Sequence, residues 1–147
     1  MVYENCDRFV YIDKPWYHYF RGNDNSLTTK YNPYLFHRWQ NLYDYMGDYI
    51  MKNELGNDYK KALRNRISLS ILGAGINLAH SDLSISKGSK ELDSMLNTPR
   101  YKIALSQLNT SFMPFEWKVF FGLAKHNFTA LLFVMLKIIE YLRTHKK

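Results

Sequence analysis

Apolar positions recur three and four residues apart over most of this chain, and that spacing predicts a largely helical protein. Leu35, Phe36, Trp39, Leu42, Tyr43, Met46, Tyr49 and Ile50 fall on one face of a first helix. Asn32-Pro33 stands just ahead of it, an N-cap residue followed by a proline suited to the first helical position. Gly56 closes the segment, and Asn57 or Asp58 is placed to cap a second helix. There Ala62, Leu63, Ile67, Ile71, Ala74 and Leu78 carry the period toward His80. Gly73 and Gly75 weaken that helix by about 1 kcal/mol each unless a neighbour packs closely against them.

Beyond His80 the pattern breaks. The stretch SDLSISKGS, Ser81 to Ser89, reads as a loop within one domain, touching the rest through Leu83 and Ile85. Short helical pieces are expected from Lys90 to Leu96 and from Arg100 to Leu108, divided at Thr98-Pro99 because the residue before a proline disfavours helix. Pro114 opens a further helix with Glu116 in its first turn, where a carboxylate suits the positive end of the dipole. Asn127 is placed to cap the last helix. Phe128, Leu131, Leu132, Met135, Ile138, Ile139 and Leu142 line one side of it, and Phe133, Val134 and Leu136 widen that side. Neither an internal repeat nor a low-complexity segment is present in the sequence.

The N-terminus follows a different rule. RFVYID (Arg8 to Asp13) and WYHYF (Trp16 to Phe20) are rich in branched and aromatic residues around Lys14 and Pro15, which predicts two short strands about a turn. Two strands alone are marginal in water and need a sheet or helix to lean on. The expected fold class is therefore mainly α: a short N-terminal β-hairpin followed by about five helices.

Composition narrows the classes. With 147 residues, 46% of them hydrophobic, a single packed core is within reach and disorder is disfavoured. A formal charge of +7 favours an acidic partner, whether nucleic acid, anionic lipid or a phosphorylated substrate. Cys6 is the one cysteine, so neither a disulfide framework nor a multi-cysteine zinc site can form within the chain, and a reducing cytoplasm is the expected location. Charged residues at Glu4, Asp7, Arg8, Asp13 and Lys14 replace the apolar core of a signal peptide. FTALLFVML, Phe128 to Leu136, is the longest apolar run, far short of the roughly 20 residues needed to cross a bilayer.

Candidate chemistry is sparse. His18, His37, His80, His126 and His145 include no pair at the spacing that puts two imidazoles on one helix face, so metal ligation is not expected. Asp44 and Asp48 share a helix face, as solvated carboxylates commonly do. The loop after the second strand is richer. Arg21, Asn23, Asn25, Ser26 and Thr28 supply a guanidinium, two amides and two hydroxyls beside Gly22. Such donors can grip a phosphate or a sugar hydroxyl, or simply form a polar turn with Ser26 or Thr28 as a local cap.

The string FVYIDKPWYHYFRGNDNSLT resembles the end of the catalytic domain in bacterial family 2 glycosyltransferases. In that pattern an apolar strand leads to a proline, a P-x-Y-x-Y strand, an arginine and a polar loop ending in Ser-[Ile/Leu]-Thr. Pro15, Tyr17, Tyr19, Arg21, Ser26, Leu27 and Thr28 carry the match, with Phe20 setting the arginine one place later. The resemblance implies that residues 1–31 end a catalytic domain, their hairpin being the edge of an α/β sheet, and that residues 32–147 form a helical extension. It further implies that Arg21 holds phosphate, that Asn25, Ser26 and Thr28 shape the loop over substrate, and that His18 stands in the cleft wall.

The family's nucleotide-binding half, its Asp-x-Asp metal motif and its Glu-Asp base motif find no counterpart in these residues. The implied function is thus the C-terminal portion of an enzyme moving a sugar from a nucleotide-sugar donor to a polysaccharide or lipid-linked glycan. Divalent metal and donor are expected only with an upstream half, and the chain alone is expected to be inactive. Lys118, Lys125, Lys137, Arg143, Lys146 and Lys147 face only Glu116 and Glu140 in the final two helices. Residues 114–147 are accordingly a candidate for docking on an anionic membrane surface, at the inner face of the cell membrane, unless Leu131 to Leu142 pack on the helix begun at Pro114. Two alternatives stay open: a basic helical nucleic-acid-binding protein, disfavoured because the bases are spread out, and a membrane-surface adaptor without catalysis.

Overall fold

The computed structural model describes residues 30–145 and, ahead of them, Asp7, Arg8, Val10, Tyr11, Asp13 and Lys14. Among the described residues there are six helices: α1 (Leu35–Lys52), α2 (Asn57–Ala79), α3 (Ile85–Leu96), α4 (Pro99–Ser106), α5 (Phe115–Lys125) and α6 (Thr129–His145). The protein is mainly helical, and no strand is present among the described residues. The hairpin expected over Arg8 to Phe20 lies largely outside those residues.

α2 is the hub, packing on α1, α3, α4 and α6, while α5 lies against α4 and α6. The two glycines expected to weaken α2 do not interrupt it, because each is a notch for a neighbour. A Cβ at Gly73 would stand 2.8 Å from Trp39 Cη2, and one at Gly75 would stand 2.6 Å from Leu136 Cδ1. Gly88 in α3 is tighter still, its missing side chain leaving the space filled by the Phe133 ring. Close approach of α1 and α6 to α2, and of α6 to α3, thus depends on residues without a Cβ.

Several boundaries move from their expected places. Asn32 and Pro33 form a turn before α1, which starts at Leu35. Asn32 Oδ1 accepts from the Tyr34 N–H at 3.0 Å, and the Asn32 backbone exchanges two bonds of 2.9 Å with the Asn77 side chain on α2. Asn57 is already helical, with Gly56 at the N-cap. The expected Ser81–Ser89 loop is cut short at Ser84, whose Oγ accepts from the Lys87 N–H at 3.4 Å and starts α3 at Ile85. Packing of Gly88 on Phe133 overrides its low helix propensity. Asn127 does not cap α6: it takes a left-handed conformation (φ 55°) that turns the chain between α5 and α6.

A polar contact joins α2 to α4 within the core. Tyr101 is fully buried, with the Phe36 ring stacked on it at 5.6 Å between centroids. Ser70 Oγ donates to the Ile67 carbonyl at 2.7 Å, so the Tyr101 hydroxyl donates to Ser70 at 2.6 Å. Burial pushes the Tyr101 phenol well above its ordinary 10.0.

Two outcomes follow from this packing. Gly88→Ala overpacks Phe133 and lowers the unfolding free energy in urea by about 2 kcal/mol, and an unchanged midpoint would contradict the notch. The folded chain holds the Tyr101 proton more tightly than the unfolded one, so this group's stabilisation is complete below pH 10 and declines as pH rises above it. Tyr101→Phe therefore costs about 1 kcal/mol near neutral pH and makes the alkaline decline in melting temperature shallower.

Candidate functional site

Arg21, Asn25, Ser26, Thr28 and His18, the substrate residues implied by the resemblance, all lie outside the described residues. Among the described residues, no group of three His, Cys, Asp or Glu side chains is arranged to hold a metal. Asp44 is occupied structurally: it accepts from Arg100, which also donates to the Gln40 carbonyl at 2.9 Å and to Gln40 Oε1 at 2.8 Å. That guanidinium ties α4 to α1.

The unusual chemistry gathers on α6. An amphipathic surface helix ordinarily turns its charged stripe to water and its apolar stripe inward. α6 does the reverse with part of each. Lys137 Nζ donates to the Ala79 carbonyl and to the Ser81 carbonyl, each at 2.8 Å, and so serves the C-terminal end of α2, where the helix dipole favours a cation. Glu140 is only 9% exposed. Its Oε1 lies 3.3 Å from His80 Nδ1 and its Oε2 lies 3.6 Å from Arg143. His80 Nε2 and Glu140 Oε2 are buried without a hydrogen bond.

With Leu132, Phe133, Leu136 and Glu140 buried, the opposite face of α6 carries Leu131, Ile138, Tyr141 and Leu142 into solvent. Leu131 is 59% exposed and Ile138 54%. The expected single side of the helix, which grouped Leu131, Ile138 and Leu142 with the packing residues, is thus split in two. Periodicity could not find the split, since α6 is apolar almost all round. The neighbouring α5 adds exposed apolar groups at Phe115 and Val119, one turn apart, and Phe112 stands exposed just before it. Charge on these two helices is basic where it reaches water: Lys118, Lys125 and Arg143 are exposed, against Glu116.

Among the described residues no helix is long and apolar enough to cross a membrane. No protein-family model, curated protein or solved structure matches the chain.

A solvent-facing stripe makes no contribution to folding that serine would remove. Leu131→Ser and Ile138→Ser each shift unfolding free energy by less than about 0.5 kcal/mol, whereas Leu132→Ala, from the buried face, costs about 3 kcal/mol. Comparable losses at all three positions would mean that the outer face is covered within the chain.

Proposed function

We propose that the helical body is a docking module that lies on an anionic membrane surface, and that it serves as the C-terminal extension of a sugar-transferring enzyme. The observation that carries the docking reading is the orientation of α6, which buries Glu140 and engages Lys137 while turning Leu131, Ile138 and Leu142 outward. Large apolar side chains flanked by bases are the chemistry of a helix lying in the membrane interface. Each exposed Lys or Arg near anionic lipid is worth about 1 kcal/mol. A second copy fits this surface less well, because the faces of two such chains would bring like charges together.

The enzymatic part of the reading is supported by the P-x-Y-x-Y, arginine and Ser-Leu-Thr pattern from Pro15 to Thr28. In this scheme the membrane-bound body brings the loop at Arg21 to a glycan acceptor near the lipid surface. Donor and base come from a separate nucleotide-binding half, and catalysis is direct displacement at the anomeric carbon. The cytoplasmic face of the membrane is the corresponding site of action.

Flotation of the full chain with vesicles tests the docking. Vesicles containing phosphatidylglycerol should carry the protein up a density gradient, and pure phosphatidylcholine vesicles should do so at least tenfold more weakly. The triple substitution Leu131→Ser, Ile138→Ser, Leu142→Ser should abolish flotation while leaving the melting transition in place. Equal flotation by both vesicle types, or by the triple variant, would overturn the docking face. In the same preparation the chain alone should release no nucleoside diphosphate from nucleotide sugars, and steady release would refute its dependence on another half.

A further inference from the structure

α2, α5 and α6 do not close completely on one another. They leave an open cleft of about 370 Å³ walled by Leu72, Ile76, Trp117, Phe120, Met135 and Ile139. Its volume falls at the small end of ligand sites, which run to about 300–1,000 Å³ and are mainly apolar with a few placed polar groups. Such a slot accommodates one flexible hydrocarbon chain, whose transfer from water is favourable by about 0.8 kcal/mol for each buried methylene.

The polar lining consists of one acid and one base, Glu116 and Arg143. Arg143 reaches Glu140 Oε2 only at 3.6 Å, beyond hydrogen-bond length, and its side chain is 56% exposed, so its N–H fork is open to an oxyanion. Glu116 stands exposed in the first turn of α5 and makes no ion pair among the described residues. Beside it in sequence, Trp117 stacks on Phe121 with centroids 6.0 Å apart and an interplanar angle of 20°. An indole next to a carboxylate is a favourable setting for an alkylammonium group.

We propose that this cleft binds a single-chain zwitterionic amphiphile, with the tail among Ile76, Phe120 and Ile139, the phosphate on Arg143 and the ammonium against Glu116 and Trp117. A purely anionic head would meet Glu116 unfavourably, and an uncharged head would engage neither charge. A zwitterion alone serves the whole rim. The site differs in geometry from the outer face of α6, since Met135 and Ile139 line the cleft while Leu131 and Ile138 face solvent.

Calorimetry of the full chain with dodecylphosphocholine, kept below its micelle-forming concentration, tests the site without any bilayer, so vesicle docking and cleft occupancy are read separately. One molecule should bind per chain. Dodecyl maltoside, dodecanoate and free phosphocholine should each bind about tenfold more weakly or less, which separates head from tail and bound lipid from a tailless phosphate ester. Arg143→Gln and the exposed Glu116→Gln should each weaken dodecylphosphocholine several-fold with the melting transition retained, and Ile139→Trp should block it by filling the slot. Absence of binding, maltoside binding as tightly, or indifference to both charge substitutions would overturn the assignment.

Discussion

The rotation of α6 about its own axis is the setting on which the rest of this molecule turns, and Lys137 fixes it. A helix that ends inside a protein leaves carbonyls without partners, and α2 ends among buried residues, with Leu78, Ala79 and Ser81 all out of solvent. Lys137 serves the Ala79 and Ser81 carbonyls at once, with Glu140 beside His80 one turn further on. Those polar contacts all lie on one side of α6. Once they are made, the helix has no freedom to roll, and its remaining apolar residues must point where the geometry leaves them.

Packing enforces the same rotation from the apolar side. Phe133 enters the space at Gly88 and Leu136 the space at Gly75, so α6 meets α3 and α2 through two glycine notches. Rolling the helix by one residue, about 100°, would lift both side chains from their notches and break the Lys137 contacts together. The exposed stripe of Leu131, Ile138 and Leu142 is therefore a consequence of how the core is satisfied. It is also the surface on which the proposed docking to an anionic membrane rests.

Cleft and stripe arise from the same placement. α5 crosses from α4 to α6, and the gap it leaves toward α2 is bordered by Met135 and Ile139, the flank of α6 between its buried and exposed faces. Glu116 and Arg143 come to that gap from the first turn of α5 and the last turn of α6. Residues far apart in the chain thus share a rim that neither helix supplies alone. Asn127, held left-handed, makes the reversal that allows it, and its Nδ2 donates to Asn97 Oδ1 at 3.1 Å near the end of α3.

Local chemistry alone determined that the chain is mainly helical: the three-and-four spacing from Leu35 to Leu78, the division at Thr98-Pro99 and the opening at Pro114 are interactions within a few residues of each other. The substrate loop that the resemblance implies around Arg21 lies outside the described residues. Tertiary structure decided what spacing cannot encode. Gly73 and Gly75 read as weak points until Trp39 and Leu136 arrived to fill them, and Ser84 started α3 earlier because Gly88 had a ring to receive. On α6 apolar residues surround the helix, so periodicity carries no direction. Only the carbonyls of α2 and the two notches, brought near by folding, could choose which face is buried and which meets the outside.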